Sequence, residues 1–374
     1  MSDMNDSPEQ EPRSIDEDQA AELPPGYDAT GIGAIDDALW VPFKEDLVVL
    51  IQRLTTLAPH FLPLLGDPNF RGTTSDMIEN DTLEQELRII DNGQVVVTVG
   101  LLATFYFEGA HQAEVRKRVA DCFEEYQALC GEYLRWGRHV RGEKSSKWHK
   151  CKSSRILFPQ DLFEGLGEEF PWEFEFHGGE TPESANEFSI EAFGSPSWDR
   201  FQRLSYLRMT LPAKWTEERQ DEVLSLVMSF CQNLQPLHGY SGLGIITSPD
   251  IAIQQEFQPV VFGIAQRFPG FEVDNPASHS LYLEKGIKSV NWLTILHERW
   301  LSLVPGLSEL RENYQDFSFL EYPGGLLIQA GSQPARRYPE LYVKLSQLLK
   351  PIRVTELPSF WDEEAGKKWF TRFD

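Results

Sequence analysis

Paired cysteines, long apolar runs and positive charge are all scarce in this chain, and each shortage closes off a class of protein. The four cysteines, Cys122, Cys130, Cys151 and Cys231, form no CxxC pair. Two of them fall on apolar helix faces, where a free thiol acts as a small hydrophobe. His149 and Cys151 would need distant partners to hold zinc, because the short paired spacings of zinc ligands are missing. No apolar run approaches the roughly 20 residues that span a bilayer. The first residues, Met1-Ser-Asp-Met-Asn-Asp, are acidic where a signal peptide is basic and then apolar, so a cytoplasmic location is expected. Lys plus Arg number 34 against 58 Asp plus Glu, a net charge of -24. Such a chain is repelled by nucleic acid and anionic membranes and attracted to basic proteins.

Catalytic signatures are missing as well. There is no GxSxG elbow, P-loop, HExxH or GxGxxG opening a helix. Gly239, Gly242 and Gly244 lack the lysine and following helix that would complete a phosphate cradle. The eight histidines are never paired at ligand spacing. His238, between a helix and a glycine-rich strand, is the best candidate for a functional imidazole, with a satisfied structural histidine as the competing reading. No catalytic set, cofactor or metal is expected, and the chain is not read as an enzyme.

What the chain does contain is a repeated unit. Val95 to Phe107 reads as a long strand, followed by a helix from Ala113 to Cys130 that Gly131 ends. Leu204 to Leu211 is a second strand, followed by a helix from Thr216, its expected hydroxyl N-cap, to Leu234. Val223, Leu224, Val227, Met228, Cys231 and Leu234 form its apolar stripe. Pro236 and Gly239 turn the chain into a strand from His238 to Thr247, where the glycines imply a bulge or a close backbone approach. Two strand–helix–strand units predict an α+β fold with mostly antiparallel sheets covered by helices. Phe317 to Tyr322 and Leu326 to Ala330 read as a hairpin around Pro323-Gly-Gly325, and Pro339 to Leu349 as an amphipathic helix.

Composition divides the chain into an acidic disordered tail over residues 1–33, a first α+β unit over 34–160, a connector over 161–200 and a second unit over 201–374. Arg135 to Lys152 is a basic island, read as a solvated element that partly balances the acidic surface. Asp161 to Glu191 has ten carboxylates and no Lys or Arg. Within it Glu173 and Glu175 alternate with Trp172, Phe174 and Phe176, so a strand there puts acids on one face and aromatics on the other. Two readings stay open: a plain acidic connector, or a partner-binding surface built from Asp161, Glu164, Glu168, Glu169, Glu173 and Glu175 around Trp172 and Phe174.

The second half carries three motifs: His238-Gly-Tyr-Ser-Gly-Leu-Gly244, Arg267-Phe-Pro-Gly-Phe-Glu-Val-Asp274 and Gly286-Ile-Lys-Ser-Val-Asn-Trp-Leu-Thr294. In their order and spacing the chain resembles the type VI secretion immunity family associated with VRR-Nuc-type nuclease effectors, over about Asp91 to Leu349. His238, Gly239, Tyr240, Gly242, Gly244, Gly286, Asn291, Trp292, Leu293 and Thr294 are the motif positions that carry the resemblance. It implies a cytoplasmic antitoxin that binds a cognate secreted toxin, usually a DNA-targeting nuclease, and neutralises it, with no direct contact to nucleic acid or membrane. The charge agrees: a nuclease presents a cationic groove to its substrate, and an acidic partner fits that groove. Two other readings are a hydrolase with an unrecognised site near His238 and an acidic regulator or scaffold for another basic protein.

Overall fold

The computed structural model describes residues 85–142, 144–151, 160–200, 203–360 and 362–374. The tail expected over residues 1–33, and the start of structure expected at Ala34, lie outside them. The described residues belong to one compact unit, Gly72–Asp374.

Among the described residues thirteen strands form one sheet. In chain order they are β1 (Ile89–Asp91), β2 (Gln94–Phe107), β3 (Trp136–Arg141), β4 (Lys144–Ser145), β5 (His149–Lys150), β6 (Trp172–His177) and β7 (Ser189–Gly194). Then come β8 (Ser205–Leu211), β9 (His238–Thr247), β10 (Glu272–Val273), β11 (Leu293–His297), β12 (Phe317–Tyr322) and β13 (Gly325–Ala330). The path across the sheet is β12-β13-β11-β9-β2-β8-β7-β6-β3-β4. Neighbours along it pair antiparallel, and the short β10 adds a parallel pair to β9. Helices α1 (Ala113–Cys130), α2 (Gln160–Phe163), α3 (Trp215–Glu218), α4 (Gln220–Leu234), α5 (Ile251–Arg267), α6 (Pro276–His279), α7 (Glu298–Leu301), α8 (Leu307–Asn313), α9 (Glu340–Leu349) and α10 (Glu363–Phe370) complete the unit. The α+β class and its mostly antiparallel sheet are as expected.

The two repeated units interlock. β2 lies between β8 and β9, pairing with β9 along most of its length and with β8 along its second half, so the unit β8–α4–β9 encloses the first strand of the other. Both faces of β2 are covered by helices, α4 on one and α5 on the other, which is why its residues from Val96 to Phe107 form a continuous buried run instead of an alternating one. Phe105 points to α4, with its ring 5.5 Å from that of Phe230. α1 covers the same face farther along, where Phe123 meets Phe174 and Phe176 at 5.5 and 5.0 Å. The opposite face of β2 and β9 carries α5, and α10 packs on α5 in turn.

Four local expectations change or are decided. Thr216 does not cap the long helix: it sits in the short turn α3, its hydroxyl donates to the Ala213 carbonyl at 2.8 Å, and α4 begins only at Gln220. The buried stripe of α4 includes Leu226 and Phe230, while Leu224 and Met228 are only partly covered. Residues 161–200 are no connector, because β6 and β7 sit inside the sheet between β8 and β3. The alternation in β6 pointed to a strand but not to its place in the sheet, and the cations that offset its carboxylates come from neighbouring strands. The strand from His238 to Thr247 pairs with β2 without a register shift, so its glycines serve close approach, not a bulge. A Cβ at Gly242 would lie 1.9 Å from Asn291 Oδ1.

Candidate partner-binding surface

The alternation in β6 decides which acids face outward. Trp172, Phe174 and Phe176 turn toward α1 and are buried, with the Trp172 indole donating to the Ala110 carbonyl at 3.0 Å. Trp172 and Phe174 are both 0% exposed, so the expectation that they anchor a partner is corrected: they are core residues. Glu173 and Glu175 occupy the other face.

There a polar row crosses the sheet in register. Arg138, Glu175, Glu191, Arg208, Thr104, Tyr240 and Thr294 stand opposite one another on successive strands. Arg138 Nη2 lies 2.7 Å from Glu175, and Arg208 lies 3.5 Å from Glu191. Burial pushes the Glu175 carboxyl up to about 7, helped by neighbouring Glu191 and opposed by Arg138. Burial likewise raises Glu173. Burial alone would lower Arg208, but Glu191, Asp274 and Glu175 hold it above its ordinary value. The basic island is thus the sheet edge β3–β5. Its Arg138 is spent on Glu175 and stacks on Trp148 at 4.8 Å, and its Arg141 donates to the Glu164 carbonyl. Cys151 is half-buried, its thiol pushed up to about 11 by burial, and His149 is exposed. Among the described residues no group of three His, Cys, Asp or Glu side chains is placed to hold a metal.

Of the segment's other acids, Glu180, Glu183 and Glu187 fall between β6 and β7, and three sit on the loop between α2 and β6. Glu164, Glu168 and Glu169 are exposed, and the side chain of Asp161 lies outside the described residues. Buried Arg116 reaches under this loop and donates to the carbonyls of Leu166 and Gly167 at 2.6 and 2.9 Å. From the other side, the Ser197 amide donates to the Glu168 carbonyl at 2.9 Å. The carboxylates therefore stand on a backbone fixed at both ends.

The three sequence motifs converge on a different place, a closed ionic cluster in the interior. Lys288 of the third motif is fully buried and donates to the Val273 carbonyl at 2.8 Å and to Tyr240 Oη at 3.1 Å. It lies 3.3 Å from Asp274 Oδ1 and 2.8 Å from Glu272 Oε1, both carboxylates supplied by the second motif. Tyr240 of the first motif donates to Asp274 Oδ1 at 2.5 Å, and Thr104 donates to Oδ2 at 2.5 Å. Asn291 donates to Glu272 Oε2 at 3.2 Å, and Arg372 approaches the same oxygen at 3.6 Å. Burial would raise Asp274, but Lys288, then His279 and Arg208, hold its carboxyl well below the usual carboxylate range. Sequence reasoning singled out Tyr240, Gly242 and Asn291 but missed Thr104, Glu272, Asp274, Lys288 and Arg372 as one group. The available signal was charge within apolar context, as in Phe271-Glu272-Val273 and Ile287-Lys288.

The other motif positions serve packing. Trp292 and Leu293 are 0% exposed, and the Trp292 indole donates to the Gly331 carbonyl at 3.1 Å. Thr294 and Asn291 bond each other, and Gly286 lets the Ile352 backbone approach. His238 is 1% exposed, its Nε2 3.0 Å from the Leu283 carbonyl, and burial lowers it to about 4. A ring so enclosed has no route to a substrate. Two surface grooves of about 440 and 450 Å³, one beside α7, α8 and the β12–β13 hairpin and one between α1 and α4, are lined by none of the motif side chains.

Residues 118–373 match the model of a family described as type VI immunity for VRR-NUC (TsiV). The chain is also similar to a solved structure of the Pseudomonas aeruginosa T6SS protein PA0821, at 26% identity over 75% of this chain and 83% of that one, with a TM-score of 0.68. No curated protein matches.

Proposed function

Because this chain belongs to the family of type VI immunity proteins for VRR-NUC, we propose that it acts without catalysis of its own, binding a VRR-Nuc effector in the cytoplasm and laying an acidic surface over the nuclease's substrate groove. The observation that carries this reading is the set of exposed carboxylates Glu164, Glu168 and Glu169 on a loop fixed by Arg116 and by Ser197. Half-exposed Glu173 adds to them from β6. A nuclease groove is cationic because phosphate neutralisation supplies much of its affinity for DNA. Carboxylates presented on a fixed backbone speed encounter with such a groove and exclude DNA from it. Among the described residues no helix is long and apolar enough to cross a membrane, and the location follows from where a nuclease meets DNA. The buried ionic cluster would keep the sheet rigid beneath this surface. Enclosure of His238 counts against the hydrolase reading.

The test is a DNA-cleavage assay with the effector's nuclease domain, titrated with this protein at several substrate concentrations. Cleavage is expected to stop at stoichiometric inhibitor, with more inhibitor required as DNA rises. Inhibition independent of DNA concentration would place the contact away from the groove. No inhibition would remove the immunity role toward that effector.

A further inference from the structure

Two large aromatic rings stand out in solvent beside the acidic loop. Trp198 is 54% exposed and Phe170 is 40% exposed. Both are held in place. The Trp198 indole N–H donates to the Glu169 carbonyl at 2.6 Å, and the neighbouring Ser197 amide donates to the Glu168 carbonyl at 2.9 Å. The loop after β7 is thus stitched to the loop before β6. Phe170 lies against Gly142, where an added Cβ would come within 3.1 Å of the ring. The hydrogen bond from the indole N–H to the loop backbone fixes the direction of a ring that is more than half exposed.

We propose that Phe170 and Trp198 are the apolar centre of the docking surface, rimmed by Glu164, Glu168 and Glu169, and that its occupant is a Lys/Arg-bearing face of the nuclease effector. This assignment rests on the immunity reading above. Aromatic anchors inside a polar rim are the usual energetic centre of an interface. Rings already fixed in the free protein lose little conformational freedom on docking, and their faces attract lysine and arginine heads. The negative rim selects the occupant's charge: it repels nucleic acid, and it sets like charge against like in a second copy of this chain. Sequence reading missed both residues because it sought anchors within the alternating strand, whereas these lie in the loops before β6 and after β7.

The experiment measures binding kinetics of the full chain with the effector's nuclease domain across a salt series. The variants are Trp198→Ala, Phe170→Ser, their combination, Glu168→Lys with Glu169→Lys, and Tyr338→Ala as an exposed control outside the patch (69% exposed). The aromatic pair is expected to raise the dissociation rate at least about tenfold with association changed less than about twofold. The lysine reversals are expected to slow association and flatten its salt dependence. Should the combined variant melt early, Phe170→Ser alone carries the test. If wild type binds and inhibits while the aromatic variants dissociate within about twofold of it, or Tyr338→Ala weakens binding equally, the patch assignment is overturned and the immunity reading stands. If wild type neither binds nor inhibits the nuclease domain, both fall.

Discussion

Replacing Lys288 by methionine removes the charge at the centre of the ionic cluster while keeping an apolar stem of similar length. In the native protein the ammonium lies 2.8 Å from Glu272 and 3.3 Å from Asp274, and all three side chains are at most 1% exposed. After the substitution two carboxylates remain in the interior, with Arg372 3.6 Å from Glu272 and His279 3.5 Å from Asp274 as basic neighbours. Breaking a buried ion pair from one side costs about 3–5 kcal/mol. That is a large part of the roughly 5–15 kcal/mol by which domains are stable. Urea unfolding at pH 7 should show a midpoint shift of that size with little change in slope. The pH dependence is the sharper check. In wild type the Asp274 carboxyl is held below its ordinary value, so its stabilisation is present above about pH 4 and is lost only as pH falls through the depressed value. Without Lys288 the largest remaining influence on Asp274 is burial, which raises its carboxyl. Protonation then relieves the variant, and its deficit relative to wild type should narrow from pH 7 to pH 5. A deficit under about 1 kcal/mol at pH 7, or one that widens on acidification, would refute the argument that this cluster holds the three motifs together.

Wild-type stability should itself fall as pH drops from about 6.5 toward 4, because burial lowers His177, His238 and His279 to about 4 each. Unfolded histidines bind protons in that window and the folded ones do not. Glu175, raised to about 7, and Glu173, also raised by burial, work in the opposite sense and offset part of this. A net of at most two protons corresponds to at most about 3 kcal/mol per pH unit, read from denaturation curves at stepped pH; a flat profile would contradict it. His149→Ala with Cys151→Ser should leave inhibition of the nuclease unchanged, and elemental analysis of the purified protein should find no stoichiometric zinc; a tight equivalent lost with Cys151 would overturn this. Removing residues 1–33 should lower the melting temperature by no more than about 2 °C, since their acid-rich composition has few large apolar residues to pack; a drop of many degrees would mean that they fold onto the body.

Local order was legible in the residues themselves. The helix from Ala113 to Cys130 and the strand from His238 to Thr247 have the bounds their patterns imply, and the hairpin forms as Phe317–Tyr322 and Gly325–Ala330. Periodicity and turn chemistry are short-range properties, so they can be read without knowing what packs where. The alternation of Glu173 and Glu175 with Trp172, Phe174 and Phe176 was also legible, but not which side would be covered. That depended on α1, whose Phe123 claims the aromatic face. Nor could composition place residues 161–200 inside the sheet, because Arg138 and Arg208, which offset their carboxylates, belong to other strands. The same holds for the motifs. Lys288, Glu272 and Asp274 look like surface charges when read singly, and Trp198 looks like one more core aromatic. Whether a charge is buried with its counter-ion or a ring is left in solvent depends on contacts between residues far apart in the chain, and those arise only when the sheet assembles.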